Sequence, residues 1–302
     1  SKSKAIKGLF IMLTMPRSFQ DQYKEPLKRL IQSALQEDIG DADHSALACL
    51  SSAKKHRAQL LVKEDCVIAG VEMASMIFKE FDPSLTMMTM ISDGTKVEKE
   101  SIVFEVEGSS QSLLATERLV LNCLQRMSGI ASLTKDLSQL IGHTSCQLLD
   151  TRKTTPNFRH AEKWAVQIGG GVNHRMGLYD AIMIKDNHID YNGSLETTLE
   201  KVRIYLDALE HPLAVIVETR SLQEVTTCLQ YPWINRLLLD NMNPEKLKEA
   251  LHINAGQFPT EASGNITKET IVAIAETGVD YVSLGALTHS AQNIDLSLKA
   301  TS

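Results

Sequence analysis

The chain has 302 residues, of which 43% are hydrophobic, and a formal net charge of −6. This length and apolar fraction allow a large buried core and favour two domains over one. The acidic balance argues against a general nucleic-acid binder or a membrane-surface protein, because such proteins usually carry a basic excess. No apolar run approaches the length of a membrane span. A site for an anion must therefore be a local concentration of positive charge.

The five cysteines show neither a CxxC pair nor a metal-ligand spacing. This pattern predicts reduced core thiols and a cytoplasmic location. The N-terminal lysines precede an apolar run, as in a signal peptide, but the run from Gly8 to Met12 is too short and no cleavage site follows it. We interpret residues 1–14 as an extension or expression remnant without a catalytic role.

Residues 15–127 have the pattern of an N-terminal α+β domain. Apolar positions recur at helical spacing from Tyr23 to Ile39, and Gly40 ends this helix. Short β-prone runs follow, separated by turn residues and by one helical piece. Strands with helices at intervals predict an open α+β sandwich.

A long helical pattern over residues 112–142 bridges the two predicted domains. We expect this helix to break near Ser128 and Gly129, where the second domain begins. The second domain is predicted to cover residues 128–286, and the tail, residues 287–302, is expected to return to the first domain.

The second domain repeats one pattern: a short apolar run, a charged or small residue where the run stops, and an amphipathic stretch. The six runs, in chain order, are CQLLD, AIMIK, LAVIVE, INRLLLD, FPTEASG and DYVSLGA. Each is short enough for a buried parallel strand. Helix starts such as Asn243 followed by Pro244 support a repeated strand–helix unit. Because six strands are visible rather than eight, we predict an incomplete, irregular α/β barrel.

The carboxyl ends of barrel strands converge on one face, so polar residues far apart in the sequence should line one pocket. The residues at these strand ends are Arg152, Lys153, Lys185, Glu218, Asp240 and Ser263. Several cations beside two carboxylates suit an anionic substrate and a metal-bound phosphate. Residues 151–175 supply most of the positive charge, with five basic side chains against Glu162 alone.

Lys185 ends the apolar run AIMI, which predicts a buried stem and an ammonium group at the barrel mouth. Two alternatives are open. The side chain could simply reach solvent from the strand end, or it could form a Schiff base, as in aldolase-type barrels. The neighbouring cations favour an anionic ligand, because Schiff-base chemistry needs an acid and a base around a neutral carbonyl.

Glu218 and Asp240 end consecutive predicted strands. Adjacent strands lie about 5 Å apart, so the two carboxylates could share a hard cation such as Mg²⁺ or its bound waters. The alternative is a pair of structural ion pairs with Arg220 or Arg236.

The segments EASGNI and SLGALTHS place small residues at the last two strand ends. Barrel enzymes often bind phosphate there through backbone N–H groups, although tight packing would select the same residues. His174 and His289 give weaker signals, because a single histidine is more often structural than catalytic. The position of His174 beside Arg175 favours a functional role for it.

Six segments carry a resemblance to a known family. In chain order they are TERLVLNCLQRMSGIAS, DTRKTTPNFRHAEKWAV, GGGVNHRMGLYDAIMIKDNHI, LLLDNM, EASGNI and SLGALTHS. From about Leu27 to its C-terminus the chain resembles the quinolinate phosphoribosyltransferases, which are carboxylating nicotinate-nucleotide diphosphorylases. Three positions differ from the family's usual wording: Asn157 stands where glycine is common, and His160 and Thr219 replace smaller or aliphatic residues.

The resemblance implies transfer of phosphoribosyl from phosphoribosyl pyrophosphate to quinolinate, with decarboxylation to nicotinate mononucleotide in NAD biosynthesis. It also implies Mg²⁺ and a homodimer in which the N-terminal domain of one subunit closes the other's barrel; a higher oligomer is an open alternative. No nucleic acid or membrane is expected as a partner. The rival interpretations are a pyridine phosphoribosyltransferase that does not decarboxylate and a catalytically silent paralogue that binds an anion.

The resemblance also assigns residues to the substrates. Those implied to bind them are Arg118, Thr151, Arg152, Lys153, His174, Arg175, Lys185, Glu218, Asp240, Ser263, Gly264, Asn265, Leu284, Gly285 and Ala286. Arg118 would come from the partner chain. The implied catalytic residues are Lys153, Lys185, Glu218 and Asp240. Of these, Glu218 and Asp240 would serve the ribose hydroxyls and Mg²⁺, which they would hold directly or through water.

Overall fold

The computed structural model describes residues 18–51 and 54–301. The predicted extension, residues 1–14, lies outside the described residues. The helices are α1 (Phe19–Gln22), α2 (Lys24–Ile39), α3 (His44–Cys49), α4 (Val71–Phe81), α5 (Ser110–Leu140), α6 (Arg159–Ile168), α7 (Asp186–Asn192), α8 (Leu195–Asp207), α9 (Leu222–Cys228), α10 (Pro244–Asn254), α11 (Ile271–Ala275) and α12 (Ala286–His289). The strands are β1 (Lys55–Val62), β2 (Cys66–Val67), β3 (Thr86–Thr89), β4 (Lys96–Val97), β5 (Ile102–Ser109), β6 (Gln147–Leu149), β7 (Ala181–Ile184), β8 (Ala214–Thr219), β9 (Arg236–Asp240), β10 (Thr260–Ser263), β11 (Tyr281–Ser283) and β12 (Leu296–Thr301).

The N-terminal half is built on an antiparallel sheet with the strand order β12-β1-β5-β3. Strand β1 buries Ala58, Leu60 and Val62 at alternate positions, because successive side chains of a strand point to opposite faces. The buried face joins a continuous apolar core that also includes residues of α4 and α5. The C-terminal tail contributes β12, which pairs with β1 from Leu296 opposite Val62 to Thr301 opposite Arg57.

The bridging helix α5 runs without interruption through Ser128 and Gly129, so the predicted break is wrong. Both residues are small because other backbone segments cross the helix there. The Ser128 hydroxyl accepts the Ala69 N–H at 3.0 Å, and a Cβ at Gly129 would overlap the carbonyl oxygen of Gln292. Serine and glycine here permit close packing and do not end the helix.

The C-terminal half is built on a parallel sheet of six strands in the order β6-β11-β10-β9-β8-β7. The edge strands β6 and β7 do not pair with each other in the described chain, which confirms the predicted incomplete barrel. The register places Glu218, Leu238 and Glu261 side by side on three neighbouring strands, with Asp240 opposite Ser263 two residues nearer the carboxyl ends. No helix in the described part of the chain is long and apolar enough to cross a membrane.

Candidate active site

A cavity of about 670 Å³ opens at the carboxyl ends of the parallel strands. Every residue implied to bind substrates lines this cavity except Arg118. The members of this set are Thr151, Arg152, Lys153, His174, Arg175, Lys185, Glu218, Asp240, Ser263, Gly264, Asn265, Leu284, Gly285 and Ala286. The fold therefore brings together residues that are distributed over more than a hundred positions of the sequence.

Four cations form what we call the cationic wall: Arg152, Lys153, Arg175 and Lys185. The side chains of Arg152 and Lys153 are exposed and donate no hydrogen bond to another described residue. Burial lowers the pKa of Arg175, and the charge of the neighbouring Arg152 adds to this shift. Cations that repel one another inside a pocket favour an anion between them.

A buried ion pair holds two segments of this wall in place. Asp150 directly follows β6, and Lys163 of α6 donates to it and to the carbonyl of His174. The Asp150 carboxylate also accepts the Asn173 amide at 2.6 Å and the His174 N–H at 2.8 Å. The Asp150 carboxylate therefore connects two segments of the chain. It lies at the end of β6, which leads to Arg152, and it binds the loop that carries His174.

The carboxylates of Glu218 and Asp240 end the adjacent strands β8 and β9, as the sequence predicted. Burial raises the pKa of Glu218 above its ordinary value; the Lys185 ammonium group opposes this shift, and the Asp240 carboxylate adds to it. The nearest distance between Lys185 Nζ and Glu218 Oε2 is 3.8 Å. Asp240 accepts a hydrogen bond from the side chain of Asn241 at 2.7 Å.

The alternative of structural ion pairs for these carboxylates is wrong. Arg220 pairs with Asp190 and Glu224, and Arg236 pairs with Glu261. Over residues 18–51 and 54–301, no group of three or more His, Cys, Asp or Glu side chains could hold a metal ion. Two carboxylates are nevertheless a donor set that fits Mg²⁺, which commonly takes one or two protein carboxylates together with phosphate oxygens.

Small residues after β10 and β11 form a further part of the cavity lining, which we call the rim. Gly264 has a φ of +93°, and a Cβ there would overlap the side chain of Asn241. Asn241 and Asn265 are also left-handed, each with a φ of 52°. The backbone N–H groups of Gly264, Asn265 and Gly285 donate to no other described residue. Unpaired N–H groups in such turns form a concave surface that suits a phosphate.

Sequence reasoning missed Glu261 as a site residue. It lies on β10, is fully buried, and contacts both His174 and Arg236. A charged residue next to a small-residue strand end was its only signal in the sequence. The other lining residues without a predicted role are Met183, Leu238, Asn241, Ile266, Ser283 and His289.

The three departures from the family wording have local structural explanations. Asn157 has a φ of 63°, a conformation that asparagine tolerates better than most residues other than glycine. The ring of His160 packs against that of Tyr23, with centroids 5.3 Å apart. The hydroxyl of Thr219 is buried and donates to the Leu238 carbonyl at 3.2 Å.

Arg118 is the one predicted site residue that does not line the cavity of its own chain. It lies on α5, is exposed, and makes no hydrogen bond or ion pair with another described residue. Leu114, four positions earlier on the same helix, is 50% exposed. Residues four apart share one face of a helix, so an apolar and a cationic side chain project together from α5.

Comparisons with known proteins agree with this geometry. Residues 43–128 match the family model described as quinolinate phosphoribosyl transferase, N-terminal domain, and residues 130–299 match the corresponding C-terminal domain. The chain belongs to the quinolinate phosphoribosyltransferase family. A rice relative, "Nicotinate-nucleotide pyrophosphorylase [carboxylating], chloroplastic", is 46% identical over 90% of this chain and 77% of its own length.

Other members of the quinolinate phosphoribosyltransferase family share both sequence and fold. A Bacillus subtilis protein named "Probable nicotinate-nucleotide pyrophosphorylase [carboxylating]" is 35% identical over 91% of this chain and 93% of its own length. The crystal structure of NadC from Streptococcus pyogenes has a TM-score of 0.85 at 38% identity, covering 93% of this chain and 97% of that chain. Human nicotinic acid phosphoribosyltransferase, at 13% identity and a TM-score of 0.53, shares the fold alone.

Proposed function

We propose that this chain transfers phosphoribosyl from phosphoribosyl pyrophosphate to quinolinate with decarboxylation, giving nicotinate mononucleotide, pyrophosphate and CO₂. The observation that carries the proposal is the cavity itself, which brings together a cationic wall, two carboxylates and a rim of small residues. Relatives over the same length carry the words "carboxylating" or "decarboxylating" in their names. The chain is accordingly a pentosyltransferase of pyridine nucleotide biosynthesis.

The charges of the cavity suggest how the reaction proceeds. Quinolinate is a dianion, and Arg152, Lys153, Arg175 and Lys185 supply the positive charge that binds it. As the pyrophosphate leaves, positive charge develops on the ribose ring, which the carboxylates of Glu218 and Asp240 stabilise. After transfer, the carbon–carboxylate bond breaks and CO₂ departs, leaving its electron pair on the ring carbon, where the adjacent positive nitrogen stabilises it. A proton from solvent then adds to that carbon and gives nicotinate mononucleotide. The role of the chain in this step is to hold the carboxylate away from strong solvation.

We propose that Glu218 and Asp240 hold Mg²⁺, directly or through water, together with oxygens of phosphoribosyl pyrophosphate. When bound, the cation would neutralise charge on the departing pyrophosphate. Replacing Glu218 by Gln and Asp240 by Asn should weaken Mg²⁺-dependent binding of phosphoribosyl pyrophosphate about 10-fold or more, while quinolinate affinity changes much less. Isothermal titration with each substrate measures both affinities. Equal losses for the two substrates would contradict this division of roles.

We propose a homodimer in which the partner subunit's Arg118 completes the cationic wall. Two observations support this arrangement: Arg118 is unpaired and outside its own cavity, and the exposed Leu114 lies beside it on α5. Because both side chains project from one face of α5, a second copy that docks on this face would contact them together. The quinolinate dianion would supply the missing counter-charge for Arg118.

We propose a cytoplasmic location, because the cysteines are free thiols. All five are free, and four are buried. Burial raises the pKa of Cys123 to about 12 and that of Cys66 to about 11, so these thiols stay protonated and unreactive. Plant relatives are named chloroplastic or mitochondrial, and free thiols suit those compartments equally. Imaging of a fluorescent fusion in the source cell would distinguish the three locations.

The function is tested by incubating the purified chain with quinolinate, phosphoribosyl pyrophosphate and Mg²⁺. Nicotinate mononucleotide and CO₂ should form in equal amounts. Lys185→Ala should lower the formation of both products by about 100–1,000-fold, whereas Lys248→Ala, at an exposed lysine outside the cavity, should leave it unchanged. Nucleotide formed from nicotinate but not from quinolinate would overturn the proposal in favour of a transferase that does not decarboxylate. Absence of turnover with either pyridine would indicate a silent paralogue.

A further inference from the structure

Glu261 is a buried carboxylate on the floor of the cavity that the proposed mechanism does not use. Glu261 is 0% exposed and lies in register with Leu238 of β9 and Tyr281 of β11. An uncompensated negative charge under a binding site for a dianion would oppose binding. The contacts of Glu261 must therefore either neutralise its charge or give that charge another use.

Arg236 supplies the neutralising charge. Its Nη1 lies 3.2 Å from Glu261 Oε2, and its guanidinium group lies over the Tyr281 ring, 4.3 Å from the centroid. The Glu261 carboxylate is therefore ionised and paired.

The same carboxylate oxygen faces His174, whose protonation the surrounding bonds define. His174 Nδ1 accepts the backbone N–H of Arg175 at 2.7 Å, so Nδ1 carries no proton. The other ring nitrogen, Nε2, lies 3.3 Å from Glu261 Oε2, within ion-pair distance, and makes no hydrogen bond with any of residues 18–51 and 54–301. The ring proton then resides on Nε2, and the imidazole is neutral.

We propose that Glu261 is a positioning residue that holds His174 as the neutral Nε2–H tautomer, so that His174 presents an uncharged ring of fixed orientation to the pyridine ligand. The role in ligand binding rests on the proposed function, whereas the tautomer does not. The main chain of His174 is already fixed through Asp150 and Lys163. Glu261 fixes the remaining freedom, which is the rotation and protonation of the ring.

The charged groups around His174 come from every element packed against it. Glu261 faces the ring from β10, with Arg236 of β9 behind it. Asp150 after β6 and Lys163 of α6 contact its backbone, and Arg175 follows it in the chain. Protonating Nδ1 would require breaking the hydrogen bond from the Arg175 N–H.

The first test is nuclear magnetic resonance of the full chain labelled with ¹⁵N-histidine, without substrate, from about pH 6 to about pH 8. His174→Gln identifies the His174 signals among the nine histidines. The Nε2–H tautomer should persist through the range. An imidazolium that titrates near the ordinary histidine pKa, or an Nδ1–H tautomer, would overturn the proposal. Because no turnover is needed, this result is independent of whether quinolinate is the substrate.

The second test compares Glu261→Gln, which keeps an acceptor oxygen, with Glu261→Met, which removes it. Glu261→Met should produce mixed tautomers or a titrating His174 and lower kcat about 10-fold or more, with an unchanged KM for phosphoribosyl pyrophosphate. Glu261→Gln should retain the tautomer and a larger share of kcat. Thr260→Val, a buried change on the same strand outside the cavity, is the matched control. Equal kinetics and spectra for both Glu261 variants would contradict the positioning role. If Glu261→Met fails to fold, the Glu261→Gln and wild-type spectra still test the proposal, because loss of the tautomer in Glu261→Gln would contradict it.

Discussion

Two lysine–carboxylate pairs lie in the C-terminal half of the molecule and differ in how completely they are bonded. The Lys163–Asp150 pair is 0% exposed on both sides, and further bonds from Asn173 and His174 saturate the carboxylate. The Lys185–Glu218 pair is separated by 3.8 Å, and the Lys185 side chain is 48% exposed. The first pair faces the interior and the second lines the cavity.

The difference shows how a fold divides the same chemistry between structure and function. A buried ion pair that is hydrogen-bonded within the chain is not accessible to a ligand. Removing one partner leaves an uncompensated charge in the interior. A long, partly exposed pair contributes little to stability but can exchange its weak internal contact for a ligand. Asp150 should therefore matter for folding and Lys185 for binding and turnover.

The largest expected effect is on stability at the closed pair. Asp150→Asn should lower the free energy of unfolding by about 3–5 kcal/mol, because it leaves the Lys163 ammonium buried without a counter-charge. Urea unfolding followed by circular dichroism measures the loss. Adding Lys163→Met should recover part of it. The matched control is Asp207→Asn in the exposed Arg203–Asp207 pair, with a loss below about 1 kcal/mol. Similar losses for both aspartates would remove the contrast between closed and open pairs.

At the open pair the effect should appear in catalysis. Lys185→Ala should reduce kcat/KM for quinolinate by about 100–1,000-fold, as expected for loss of one pre-placed cation. Its free energy of unfolding should change by less than about 1 kcal/mol. Steady-state kinetics and urea unfolding on the same preparation separate the two quantities. A stability loss as large as that of Asp150→Asn would mean that Lys185 is structural.

A mixture of two inactive variants tests whether the cavity takes a residue from another chain. The Lys185–Glu218 pair lines that cavity, whereas the Lys163–Asp150 pair is buried. Arg118→Ala and Lys185→Ala should each be inactive. After subunit exchange, about one quarter of wild-type activity should return, because half of the dimers are mixed and each has one intact site. No recovery after exchange verified by mass spectrometry would contradict the shared site.

The smallest effect concerns the pH dependence of the open pair. The folded-state pKa of Glu218 is raised, so this carboxyl group favours folding when protonated and disfavours it as the pH rises through that pKa. Glu218→Gln should therefore be slightly more stable than wild type near neutral pH, by less than about 1 kcal/mol. The difference should vanish as the pH falls towards about 4. Urea unfolding at both pH values measures it, and a destabilised variant at neutral pH would show the opposite sign.

Local patterns predicted much of the fold. The helical piece VEMASMIFKEF is α4, Val71–Phe81, and each apolar run of the barrel contains one strand of the parallel sheet. These predictions succeeded because side-chain periodicity reflects backbone geometry, which neighbouring residues determine. The predicted break in α5 was wrong because glycine at position 129 makes room for the backbone of Gln292, a residue remote in sequence.

The sequence by itself determined which residues stand at the strand ends, because parallel strands of one sheet bring their carboxyl ends to one edge. It therefore predicted Arg152, Lys185, Glu218 and Asp240 as neighbours of one cavity. Only the tertiary structure decided which charged groups are buried and hydrogen-bonded, and that Glu261 faces His174. Burial and hydrogen bonding depend on what other strands and loops bring to a side chain, and no local pattern encodes them.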